Sequence, residues 1–232
     1  MMNFFKKMFS TEQEMTPYMT EVTNAANNGN AEAQHCLGLH YKYGNNGFRK
    51  NARLAMEWLH KAAEQGYIPA YQALTVAYWK GDICPQSNEQ FVKWGSTYLK
   101  AVGYNKDSDD ELMDEIAKEM GTIYLKGDGV ERDFEKADKY FGVPAIKGDA
   151  FSQFCLALTV YDEASPIHCP HNAVIWFHKA AEQDYAEAQR MLGLCYLLGE
   201  GVETNVDAAR YWFTKAAEQG DEKALLALEK YC

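Results

Sequence analysis

Residues 188–220 read AQRMLGLCYLLGEGVETNVDAARYWFTKAAEQG, and the last five letters of this stretch recur along the chain. The pentapeptide is AAEQG at 62–66, AAEQD at 180–184 and AAEQG again at 216–220, with a weaker AANNG at 25–29. Trp58, Trp176 and Trp212 each precede a copy by a few residues. With the closing residue of each copy as position zero, repeats begin at Gly29, Gly66, Leu112, Gly148, Asp184 and Gly220. The spacing is 36 or 37 residues, apart from nine added before Leu112. A fixed period of this length marks a stacked array of helical units, not one globular core.

The register resolves each repeat into two helices. Position +4 is Ala33, Ala70, Ile116, Ser152, Ala188 and Ala224, and position +8 is Leu37, Leu74, Met120, Leu156, Leu192 and Leu228. Position +12 is Tyr41, Tyr78, Tyr124, Val160 and Tyr196. Spacing by four places these residues on one face of a first helix, A. Position +9 is always fairly small, and glycine at +15 (Gly44, Gly81, Gly127, Gly199) predicts a left-handed stop. A second helix, B, carries Trp58, Trp94, Tyr140, Trp176 or Trp212, expected to fill the space between layers. Thr16 and Pro17 read as the cap and first residue of a lone helix B. The prediction is an all-α array over 16–232: a half repeat, five full pairs and a half repeat, about twelve helices. Residues 1–15 are expected to form a partly ordered N-terminal segment.

The chain has 232 residues, 47% of them hydrophobic, and a net charge of −10. The apolar fraction argues against disorder, and the acidic balance argues against nucleic acid or an anionic membrane as partner. No apolar run is long enough to span a bilayer, and the opening MMNFFKKMFSTEQEM lacks the apolar core of a secretory signal. Cys36, Cys84, Cys155, Cys169, Cys195 and Cys232 are too sparse for a disulfide framework, so free thiols and a cytoplasmic location are expected.

The pattern small-x-x-x-Leu-Gly-x-x-Tyr-x-x-Gly-x-Gly-Val, then Ala-x-x-Trp-x-x-Lys-Ala-Ala-Glu-Gln-Gly, resembles the Sel-1-like repeat over roughly 17–232. That family is related to the tetratricopeptide repeat. The resemblance implies a right-handed α-solenoid and a role as an adaptor or scaffold. Some bacterial members look like secretion, host-interaction or toxin-immunity factors, which implies a bacterial setting. Some secreted members tie neighbouring helices by disulfides and were linked to penicillin binding or β-lactamase activity. The cysteine positions expected there hold Ala63, Ala181, Ala217, Gln34 and Gln189 here, and no Ser-x-x-Lys occurs.

Three segments break the pattern: GDICPQSNEQ (81–90), EASPIHCPHN (163–172) and YNKDSDDE (104–111), which holds eight of the nine added residues. Ser108 and Glu111 read as a capping box that starts the next helix A near Asp109. The added segment either borders a binding face or is a tolerated surface insertion.

Opposite the core stripe lie positions +3, +6, +10 and +13, which the resemblance places on a concave groove. There His35, Gln72, Lys118, Phe154 and Arg190 occupy +6, Lys42, Trp79 and Tyr161 occupy +13, and Phe151 occupies +3. Aromatic residues and cations are common anchors of protein interfaces, so these nine residues are candidates for binding a peptide or protein. In a tight superhelix the same residues would instead pack between repeats. His168, Cys169 and His171, beside Asp162 and Glu163, offer ligands of a kind that zinc takes, though not at a standard spacing. His60 and His178 share a repeat position and read as surface or packing residues. No Walker loop and no Gly-x-Ser-x-Gly occurs, and no cofactor is expected. The expectation is a non-enzymatic protein-interaction module. The alternatives are an immunity or inhibitor protein acting on a bacterial toxin, and a metal-dependent or hydrolytic enzyme around 162–171.

Overall fold

Twelve α-helices and no strand make up residues 15–231, the part of the chain that the computed structural model describes. They are α1 (Pro17–Asn27), α2 (Ala31–Tyr43), α3 (Ala52–Glu64), α4 (Ile68–Lys80), α5 (Asn88–Ala101) and α6 (Glu111–Lys126). The series continues with α7 (Phe134–Ile146), α8 (Ala150–Tyr161), α9 (Pro170–Ala181), α10 (Ala186–Leu198), α11 (Val206–Glu218) and α12 (Glu222–Tyr231). The fold is an all-α solenoid of helix pairs. The chain divides between Tyr98 and Leu99, within α5, into two compact lobes. Of the expected N-terminal segment 1–15, only Met15 lies within the described residues, and Cys232 lies outside them.

The helix ends follow their local chemistry. Thr16 caps α1, its Oγ1 accepting from Met19 N at 3.2 Å, and Pro17 takes the first turn, where no amide hydrogen is missed. Gly44, Gly81, Gly127 and Gly199 end helices A in the left-handed conformation, each returning its N–H to the carbonyl four residues back. The start of α6 differs from expectation. Its cap is Asp110, whose carboxylate accepts from Leu112 N and Met113 N. Ser108 closes the preceding turn instead, its Oγ accepting from Asn105 N at 3.1 Å. The inserted segment is pinned at its base: Tyr104 donates to Asp114, which also holds Lys147 Nζ at 2.7 Å.

The +8 residues Leu37, Leu74, Met120 and Leu192 are fully buried. The aromatic series of helix B needs a correction. Trp58, Tyr140, Trp176 and Trp212 are only half-buried, and the residue that follows each one, Leu59, Phe141, Phe177 or Phe213, is the fully buried core anchor. Trp94 is the exception, being buried itself and followed by Gly95. This arrangement also explains the small residue at +9. A Cβ on Gly121 would lie 2.9 Å from the Phe141 ring, and one on Gly193 2.8 Å from the Phe213 ring. The glycine is the space into which the helix B anchor packs.

The pentapeptide glutamine has a structural task. Gln34, Gln153 and Gln189, all at +5, are buried, and each donates its amide to the carbonyl of an alanine closing the preceding helix B: Ala26, Ala145 and Ala181. Their side-chain oxygens accept from Gln65 (2.6 Å), Gln183 (2.8 Å) and Gln219 (2.8 Å) of the next helix B. Each buried amide is thereby satisfied at both ends, which removes the penalty of desolvating it.

Candidate functional site

Four of the five +6 side chains, Gln72 being the fifth, face the first residue of the following repeat, and the two positions are matched in chemistry. His35 lies against Tyr67 (ring centroids 5.4 Å apart) and Phe154 against Tyr185 (5.2 Å). Lys118 pairs with Asp149 at 3.4 Å, and Arg190 with Asp221 at 2.9 Å. Both aspartates use their other oxygen to cap the next helix, accepting from Ser152 N and Ala224 N. The Lys118 and Arg190 cations therefore neutralise cap carboxylates between repeats. Burial lowers the pKa of His35, with the Glu32 carboxylate opposing part of that effect.

The other candidates divide. Lys42 is 8% exposed, and its ammonium sits 2.8 Å from Asp82, which takes it out of reach of a partner. Trp79 is half-buried against Phe91, with centroids 5.9 Å apart, and Gln72 is half-buried too. Phe151 is 38% exposed, its ring edge-on to Phe141. Tyr161 borders an open cleft in the second lobe.

That cleft has a volume of about 1000 Å³, at the upper end of the range for ligand pockets. Its apolar surface is Leu125, Leu158, Tyr161 and Pro170, and its polar edge is Lys126, Arg132, Asp162, Glu163, His168 and Glu200. Leu125 and Tyr161 occupy +13 and Leu158 occupies +10, the far side of helix A from the core stripe. Arg132, Asp162 and Glu200 are held in place by their own bonds. Arg132 donates through Nε to the Leu125 carbonyl (2.9 Å) and through Nη2 to Asp162 (2.7 Å), with its guanidinium 4.2 Å above the Phe134 ring. The Ala164 amide, together with Arg132, holds the Asp162 carboxyl below the usual range. Tyr161 donates to Glu200 and meets Phe177 edge-on; burial, then that bond, pushes its hydroxyl pKa up, so it stays a donor. Glu163 and Lys126 have no ion-pair partner among the described residues.

The residues of the His-Cys-Pro-His loop diverge. His168 Nδ1 lies 3.2 Å from the Asp162 carbonyl, and His171 Nδ1 lies 3.2 Å from the Gly201 carbonyl. Cys169 stands at the N-cap position of α9 without a side-chain cap bond, its amide donating to the Val160 carbonyl at 2.7 Å. Among the described residues, no three His, Cys, Asp or Glu side chains converge as a metal ion would need. The five described cysteines are unpaired, and burial raises the Cys155 and Cys195 thiols to about 12, far from a reactive thiolate.

Sequence reasoning passed over Arg132, Leu158 and the paired glutamines. The glutamines left a signal, because Gln at +5 recurs with Gln just before position zero of the next repeat. Arg132 and Asp162 left none, since they are 30 residues apart in the loops of successive repeats and meet only in the fold.

The Sel1 repeat family model matches residues 31–67, 117–142, 170–185 and 186–221. The chain is 31% identical over 176 residues to chitin synthase regulatory factor 3 of Schizosaccharomyces pombe, covering 72% of this chain and 18% of that protein. It is 27% identical over 213 residues to the ERAD-associated E3 ubiquitin-protein ligase component HRD3B of Arabidopsis thaliana, covering 89% and 33%. It thus spans a third or less of the length of these curated relatives. One similar solved structure is a protective antigen of uropathogenic Escherichia coli displaying an SLR fold, at 31% identity and a TM-score of 0.58, covering 90% of this chain and 42% of that one. A second is a Sel1 repeat protein from Oxalobacter formigenes, at 27% identity and a TM-score of 0.52, covering 92% and 78%. Sel1 repeats are a protein-interaction fold and not typically enzymatic. No helix among the described residues is long and apolar enough to cross a membrane. Four matched segments, laid on helix pairs with a common set of packing rules, place this chain in the Sel1 repeat family.

Proposed function

We propose that the protein is a non-enzymatic adaptor that holds a protein partner in the cleft of its second lobe. The observation that carries this reading is the cleft itself, which is lined by apolar Leu125, Leu158 and Tyr161 together with polar side chains of which Arg132, Asp162 and Glu200 are already fixed. Apolar surface combined with preorganised polar groups is a usual feature of a protein interface. Curated relatives named as a regulatory factor of one enzyme and a component of another support the same reading. The unpaired thiols support a cytoplasmic setting.

A photo-crosslinking amino acid at Leu125, with one at the exposed Tyr211, which does not line the cleft, as control, tests the reading in the source cell. One protein attached at Leu125 and not at Tyr211 supports it. The same set of proteins at both positions refutes it.

A further inference from the structure

The charge of the chain is unevenly placed. Residues 99–232 hold 25 of the 33 acidic residues but only 14 of the 23 basic ones. Residues 1–98 hold 8 acidic and 9 basic residues, so all of the net negative charge belongs to the second lobe. At the cleft the same imbalance is local. Arg132 is already neutralised by Asp162, Glu200 gives one oxygen to Tyr161 and keeps the other, and Glu163 is exposed with no ion-pair partner among the described residues. Lys126 is the one cation of the cleft lining without such a partner.

We infer that this cleft receives a basic peptide segment of a partner protein. An aliphatic or aromatic side chain sits on Leu125, Leu158 and Tyr161, and flanking Lys or Arg side chains face Glu163 and Glu200. This inference rests on the adaptor reading and adds the chemistry of the occupant. Two physical terms support it. Burying an apolar side chain on Leu125, Leu158 and Tyr161 gains the hydrophobic term, and Arg132 and Asp162, already bonded to each other, add little ordering cost. The acidic field of the lobe then speeds the encounter of a cationic segment and rejects an anionic one.

Selection of random decapeptides displayed on phage against the intact chain tests the inference. Enriched peptides are expected to carry net positive charge around one aliphatic or aromatic residue. A synthetic copy of the strongest should bind by fluorescence anisotropy and weaken as salt is raised. Glu163→Lys with Glu200→Gln, the second keeping an acceptor for Tyr161, should weaken that peptide by about ten-fold or more. Glu163→Lys alone, at an exposed side chain, should act in the same direction and guards against misfolding of the double variant. Enriched peptides that are acidic or uncharged, no enrichment at all, or affinity unchanged by Glu163→Lys would each overturn the inference. The crosslink at Leu125 keeps the two readings apart. An acidic segment attached there sinks the basic-peptide inference and leaves the adaptor reading standing, whereas indiscriminate crosslinking sinks the adaptor reading.

Discussion

Replacing Gly201 by alanine separates two reasons for a glycine in the GEGV turn. The first is conformational: Gly201 has φ +74°, where an L residue costs about 1–2 kcal/mol. The second is steric. A Cβ on Gly201 would lie 2.3 Å from the Pro170 carbonyl oxygen, 2.4 Å from its carbon and 2.7 Å from His171 N. These are backbone atoms at the start of α9, so no side chain can rotate away. Relief requires moving the turn and the helix start apart by roughly 1 Å, a form of overpacking that costs about 1–3 kcal/mol. Gly220 supplies the control, since its φ is +90° and nothing lies within 4 Å of its Cβ position. Gly220→Ala should therefore lose about 1–2 kcal/mol and Gly201→Ala about 2–5 kcal/mol. Urea unfolding followed by far-ultraviolet circular dichroism ranks the two. Because a chain of two lobes need not unfold in one step, hydrogen exchange across 163–203 then locates the loss. Equal destabilisation of the two variants, or unchanged exchange at the start of α9, would refute the close-approach argument.

Other substitutions test the packing rules. Phe213→Ala should cost about 3–5 kcal/mol, and Trp212→Ala distinctly less, because only Phe213 is fully enclosed; equal losses in urea midpoint would contradict the assignment of the core anchor. Gln189→Leu should cost roughly 1–2 kcal/mol, and combining it with Gln219→Ala should add little, since both remove the same bond; additive losses in a double-mutant cycle would deny the coupling. His35 has a folded pKa below 6.5, so the unfolded chain binds more protons between that lowered value and 6.5, and stability falls as pH drops through this window. His35→Phe keeps a ring against Tyr67 and should flatten that fall between about pH 7.5 and about pH 5.5, and a variant with an unchanged pH profile would exclude His35 as its source.

Much of this protein is legible from its repeat. Pentapeptide spacing, the +4, +8 and +12 stripe, the glycines at +15 and the Thr16-Pro17 start each report a local requirement of helix geometry or termination. Such requirements act over a few residues, so they survive in any context. Helix count and order, and the burial of +8 in helix A, follow directly from them, whereas at +12 Tyr41, Tyr78, Tyr124 and Tyr196 are half-buried and the enclosed residue is the one before, such as Ala77, Ile123 or Cys195.

Whether a side chain outside that stripe faces a partner or the next repeat was not legible. Lys118 and Arg190 could equally have been free cations; distance to Asp149 and Asp221, 31 residues on, decides that they are not. The same holds for Trp212 against Phe213. Adjacent positions differ by about 100° around a helix, and the sequence marks the aromatic pair without saying which of the two points inward. The cleft belongs wholly to the tertiary structure. Leu125, Arg132, Leu158, Asp162 and Glu200 come from two helices A and three loops, and although two of those loops share the Gly-x-Gly-Val turn, the repeat does not tell which of their side chains meet. Short-range periodicity thus determines which helices form and what they bury, whereas the placement of charges and loop residues across repeats, and so the surface a partner would meet, depends on contacts between segments far apart in the chain.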